Sequence, residues 1–122
     1  MIRLMIVDDY ELIRHTLCEF FDGFCNDMIE VVAVAGDGGE ALERIERERP
    51  DVVLMDVSMP GMDGFTATEL IKGRFSNIHI ITYSGFEDIS FVSKARSVGA
   101  CRHVQKPFDF FDLKDLIVEV AT

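Results

Sequence analysis

The chain has 122 residues, enough for one hydrophobic core and too few for two. Its formal charge of −10 argues against direct contact with nucleic acid, whose phosphates require clustered Lys and Arg. With 48% apolar and 28% charged residues the composition is that of a folded globular chain, and no apolar run approaches the roughly 20 residues of a membrane span.

In chain order, the first β-branched run, residues 4–7, reads as a strand and is cut off by Asp8 and Asp9 before a signal-peptide core could form, so a cytoplasmic location is expected. Leu12, Ile13, Leu17, Phe20, Phe21 and Phe24 then fall at helical spacing. A second strand is expected at 31–35, with Gly36-Asp37-Gly38-Gly39 as a turn, followed by a helix carrying Ala41, Leu42 and Ile45. The third strand, 52–55, is continuously apolar, as suits a strand covered on both faces. After the Pro60-Gly61 turn, Phe65, Ala67, Thr68 and Ile71 mark the third helix. A strand at 79–82, a helix with Ile89, Val92 and Ala95, a strand at 102–105, the Lys106-Pro107 turn and a helix with Leu113, Leu116, Ile117 and Val120 complete the chain. Strand and helix alternate throughout, which predicts a single α/β domain over 1–122, a doubly wound parallel sheet with helices on both faces. Cys18, Cys25 and Cys101 are an odd set without C-x-x-C spacing and read as reduced, partly buried thiols.

In a doubly wound sheet, ligands collect beyond the carboxyl ends of the strands. Asp8 and Asp9 follow the first strand, Asp56 the third, Thr82-Tyr83-Ser84-Gly85 the fourth, and Lys106 the fifth. Each has an ordinary explanation: Asp8 or Asp9 as a helix cap, Asp56 as the opening of a turn, Lys106 as a solvated lysine. Packing does not require all of them at one edge. Three converging carboxylates repel one another and need a cation, and an oxygen-only set suits Mg²⁺, with Mn²⁺ as a substitute. A carboxylate beside that cation can attack phosphorus, with Lys106 neutralising the transferring oxygens.

These residues resemble the receiver domains of two-component response regulators. Ile6-Val7-Asp8-Asp9 is similar to the family's acidic pair, Leu54 through Gly64 to its phosphorylation strand and loop, and Val104-Gln105-Lys106-Pro107-Phe108 to its lysine-proline turn. The segment 31–38 with Glu40-Ala41-Leu42 is similar to members that carry a helix-turn-helix output. The resemblance implies a flavodoxin-like (βα)5 fold with strand order 2-1-3-4-5. It implies a phosphoacceptor rather than a turnover enzyme. Asp56 would receive the phosphoryl group from a sensor histidine kinase or histidine phosphotransfer protein. Asp9, Asp56 and the Ser58 carbonyl would ligate Mg²⁺, with Asp8 acting through metal-bound water and Lys106 on the phosphoryl group. The switch hydroxyl would be Ser84, 28 residues after Asp56 and 22 before Lys106, in preference to Thr82. The readout would be a face made by the fourth helix, fifth strand and fifth helix, able to support a homodimer, with no nucleic acid or membrane contact by this domain.

One departure is His103, where the family usually has Tyr or Phe three residues before the lysine. A buried imidazole needs a hydrogen-bond partner; an imidazole in solvent at an edge strand is the alternative, and a weaker or pH-sensitive switch is expected. Ser58 and Phe86 are expected to tune the lifetime of the phosphoryl group, Phe86 by shielding it from water. One of Phe110 and Phe111 should stay exposed. Two further readings are a receiver-like interaction module that is never phosphorylated and an aspartyl-phosphate hydrolase, the latter disfavoured by Ser58 where a second acid would be wanted. A flavin module is disfavoured because its glycine-rich candidate follows the second strand.

Overall fold

The apolar run beginning at Val52 becomes the middle of the sheet, as its lack of a polar face requires. A computed structural model, describing residues 1–85 and 89–122, contains five parallel strands. They are β1 (Ile2–Val7), β2 (Ile29–Ala35), β3 (Val52–Asp56), β4 (His79–Ser84) and β5 (Arg102–Gln105), ordered β2-β1-β3-β4-β5. Helices α1 (Glu11–Phe24), α2 (Gly38–Glu48), α3 (Gly64–Arg74), α4 (Ile89–Ser97) and α5 (Phe110–Ala121) connect or follow them. The expected doubly wound, flavodoxin-like arrangement is the one observed.

Alternation along each strand sorts side chains between two cores. Leu4 and Ile6, Val52 and Leu54, and Ile81 and Tyr83 face Leu17, Phe20 and Phe21 of α1 and Leu113 and Ile117 of α5. Met5 and Val7, Val53 and Met55, and Ile80 face Ala41 and Ile45 of α2 and Ala67 and Ile71 of α3. A smaller cluster of Val57, Phe65, Ala95 and Ala100, with Phe91 against it, seats α4. Phe111 is exposed and Phe110 half-buried, as expected of that pair. The three cysteines are free, with Cys25 buried.

Five boundaries differ from the sequence reading. β1 and β2 begin at Ile2 and Ile29, two residues early, and β3 and β4 continue through Asp56 and Ser84. The ladder is a property of the backbone and runs on beneath polar side chains: Asp56 pairs with Tyr83, and Ser84 with Gln105. Gly38 and Gly39 are the first residues of α2 rather than turn residues. Asp37 is its N-cap, accepting from the Glu40 N–H at 2.8 Å. Asp63 and Asp109 cap α3 and α5 in the same way, each cap contributing about 1 kcal/mol.

Candidate metal and phosphoryl site

Strand parity decides which polar residues meet. Asp8 continues the side-chain series of Leu4 and Ile6, Asp56 that of Val52 and Leu54, and Tyr83 that of Ile81, so all three turn toward α1 and α5. Thr82 and Ser84 turn the other way, and the β4–β5 register sets Thr82 opposite His103. Two different constellations therefore occupy the two faces of one sheet edge.

On the first face, ligand oxygens of Asp8, Asp9 and Asp56 all lie within 4.8 Å of one another. Asp8 is fully buried and Asp9 exposed. The helix-cap explanation fails for both, because the N-cap of α1 is Tyr10 and no side chain caps it. Instead Asp8 Oδ1 accepts from the Tyr10 N–H at 2.9 Å, and Oδ2 accepts from the Tyr83 hydroxyl at 2.7 Å. Lys106 Nζ stands 3.7 Å from that same Oδ2. Asp56 Oδ1 accepts from the Ser58 N–H at 3.0 Å, so the turn-opening contact read from the sequence is present in the same carboxylate that stands in the cluster. The Ser58 side chain is exposed.

Burial, more than any other cause, pushes the Asp56 carboxyl up to about 7; the charges of Asp8 and Asp9 add to it, while the Ser58 N–H and Lys106 oppose it. Tyr83 is raised well above the ordinary phenol value by burial and then by Asp8. Such a crowded carboxylate set is relieved by a cation. Its all-oxygen donors fit Mg²⁺ or Mn²⁺, which tolerate few protein ligands and retain waters.

The loop after Asp56 is held close by Gly64. A Cβ there would come within 2.1 Å of the Asp56 carbonyl oxygen, so only glycine lets α3 begin against the end of β3. The Gly64 N–H bonds the Val57 carbonyl at 3.3 Å.

On the opposite face, His103 is half-buried with its ring directed inward, not in solvent. Nδ1 lies 2.7 Å from Thr82 Oγ1, and Nε2 lies 3.1 Å from Ser84 Oγ. The ring stacks on Phe65 at 6.3 Å between centroids and meets the edge of Phe91 at 6.1 Å. Burial lowers its pKa below the ordinary 6.5. The imidazole thus touches both hydroxyls weighed in the sequence reading, Thr82 as well as Ser84. Phe86 lies outside the described residues.

Every candidate site residue named from the sequence other than Phe86 is placed, and one contact-making residue was missed. Tyr83 reads in sequence as an ordinary aromatic strand residue. Its parity with Ile81, opposite to Thr82 and Ser84, was the available signal.

Residues 4–118 match the family described as the response regulator receiver domain. The chain belongs to that family. Among curated relatives, this receiver is 32% identical over 115 residues to sporulation initiation phosphotransferase F of Bacillus subtilis, covering 94% of this chain and 90% of that protein. It is 40% identical over 114 residues to the transcriptional regulatory protein PdtaR of Mycobacterium tuberculosis, covering 91% of this chain but 52% of that protein. The receiver spans about half the length of the transcriptional regulators it matches. Among solved structures, it superposes with a TM-score of 0.85 and 34% identity on the receiver domain of AraT from Geobacillus stearothermophilus, covering 98% and 92% of the two chains. A CheX–CheY complex with BeF3 and magnesium from Borrelia burgdorferi gives a TM-score of 0.89 at 25% identity, covering 99% and 90%. As a receiver it is a component of two-component phosphorelay signalling. Among the described residues no helix is long and apolar enough to cross a membrane.

Proposed function

We propose that this receiver accepts a phosphoryl group on Asp56 from the phosphohistidine of a sensor histidine kinase or histidine phosphotransfer protein, and that the event is read on the face formed by α4, β5 and α5. The observation that carries the reading is the convergence of Asp8, Asp9 and Asp56 within 4.8 Å, with Lys106 Nζ 3.7 Å from Asp8. The magnesium in the related CheY complex supports the same choice of cation.

Asp9 and Asp56, with the Ser58 carbonyl, would hold Mg²⁺, and Asp8, whose two oxygens already accept from Tyr10 and Tyr83, would act through metal-bound water. When bound, the cation supplies charge neutralisation for the transferring phosphoryl oxygens. An Asp56 carboxylate oxygen forms the new bond to phosphorus as the donor's P–N bond breaks and the departing imidazole takes up a proton. Lys106 moves from Asp8 toward the new phosphoryl charge. A groove of about 520 Å³ runs up to Lys106 between Leu12, Ile13 and Thr16 of α1 and Pro107 and Phe108, and suits the approach of a partner that presents the phosphohistidine.

For the readout, Ser84 hydroxyl drawn toward the phosphoryl group would leave His103 Nε2. The imidazole is seated against Phe91 of α4, so its release loosens the contact between α4 and β5. The same face is able to support a homodimer. Incubation with a small phosphodonor and Mg²⁺ should add one phosphoryl mass to the wild type and none to Asp56→Asn. An adduct that survives the substitution would overturn the assignment.

A further inference from the structure

Resting on the phosphoacceptor reading, we infer that Tyr83 is a positioning residue for both halves of the site, its hydroxyl fixing the carboxylate of Asp8 and its ring seating the ammonium of Lys106. The first contact is the 2.7 Å bond from the Tyr83 hydroxyl to Asp8 Oδ2, made by a residue that is 1% exposed. The second places Lys106 Nζ 5.0 Å from the centre of the same ring, within the range of a cation–π contact. Phe108 packs edge-on at 5.7 Å and holds the ring from the side of the lysine-proline turn. Because the β3–β4 ladder pairs Asp56 with Tyr83, the phenol is anchored on the residue directly across from Asp56 on the neighbouring strand.

The two contacts separate two tasks. The hydroxyl occupies Asp8 Oδ2 and, with the Tyr10 N–H on Oδ1, holds the carboxylate in a fixed orientation beside Asp9 and Asp56. Partners that orient metal-binding carboxylates in this way typically carry tenfold or more of the affinity. The ring supports Lys106 without neutralising it, which leaves the ammonium free to turn to a phosphoryl oxygen. An aromatic residue serving only as core filler would need neither contact.

Two substitutions test the division. Tyr83→Phe keeps the ring and removes the hydroxyl: calorimetric titration with Mg²⁺ alone should show affinity reduced about tenfold. Its phosphorylation rate by a small phosphodonor should return to within about twofold of wild type once Mg²⁺ is saturating, on the same reasoning that only cation affinity is touched. Tyr83→Leu should lower the saturated rate as well, because Lys106 loses its support. Should that variant fold poorly, Tyr10→Phe supplies an independent measurement, since the chain has two tyrosines and no tryptophan. Mg²⁺ should then shift the near-ultraviolet absorption of Tyr83 with the calorimetric midpoint. Unchanged Mg²⁺ affinity in Tyr83→Phe, a reduced saturated rate in that variant, or no spectral shift while calorimetry registers binding would each overturn the inference. A wild type that neither binds Mg²⁺ nor takes up phosphoryl would instead remove the phosphoacceptor reading, and the inference with it.

Discussion

The two faces of the sheet edge solve opposite electrostatic problems within a few ångströms. Toward α1 and α5, three carboxylates are forced together and left short of positive charge, so this face is suited to holding a cation. Toward α3 and α4, a neutral imidazole bridges Thr82 and Ser84 and is enclosed by Phe65 and Phe91. That face has settled hydrogen bonds and is poised to lose them. Strand alternation keeps the two apart although Tyr83 and Ser84 are adjacent in sequence.

The largest effect should come from relieving the charged face. The Asp56 carboxyl lies at about 7 in the fold against 3.8 as a reference, so between these values the folded state holds more protons than the unfolded chain. The stabilisation from its protonation is complete below the lower value and is lost as pH rises through about 7. At pH 8 without divalent cations, Asp56→Asn should therefore raise unfolding stability by roughly 2–4 kcal/mol, measured by denaturant titration. A destabilised variant would break the contrast between the faces.

Magnesium should close most of that gap. A cation that binds the folded wild type contributes about 2.7 kcal/mol at a hundred times its Kd. Thermal unfolding should thus shift upward with Mg²⁺ for the wild type and much less for Asp56→Asn. Equal shifts would place the cation elsewhere.

The neutral face should respond with the opposite pH dependence. Burial holds His103 below 6.5, so its contribution is present above the unfolded value and is lost as pH falls through the lower folded one. His103→Phe should remove this acid-side slope and cost about 1 kcal/mol at neutral pH through loss of the imidazole's two hydrogen bonds, with Thr82 keeping its bond to the Arg102 carbonyl. Lys94, whose Nζ lies 5.1 Å from the Phe65 ring centre, and Arg96 and Arg102, which line a cavity with His103, are nearby charges whose removal should only modestly change the slope. The smallest change concerns Thr68 in α3: its buried hydroxyl has no hydrogen-bond partner among the described residues, and Thr68→Val should stabilise by about 1 kcal/mol.

Much of this contrast was legible in the sequence because strand ends and parity are local properties. The apolar run to Met55 and the placement of Asp8, Asp9, Ser84 and Lys106 named the edge of the sheet. Less visible were features decided across strands. Hydropathy ended β3 and β4 before the polar residues Asp56 and Ser84, although backbone pairing carries through them. Whether His103 faces solvent depends on Phe65 and Phe91, contributed by other elements. Tyr83 looked like core because it is core; its hydroxyl acquires a role only when Asp8 arrives from β1.

The contact at Gly64 bears on how such a site can vary. Residues 57–63 leave the end of β3 and return at once to it, fastened where the backbone of Gly64 abuts Asp56. A segment pinned at both ends can exchange its exposed side chains without displacing the carboxylate beside it, although its buried Val57 and Met59 are held by the core. Ser58, exposed and two residues from Asp56, is thus a mount of fixed position and free chemistry. On the phosphoacceptor reading proposed above, replacing it should alter the lifetime of a phosphoryl group on Asp56 while leaving the backbone geometry at Gly64 intact.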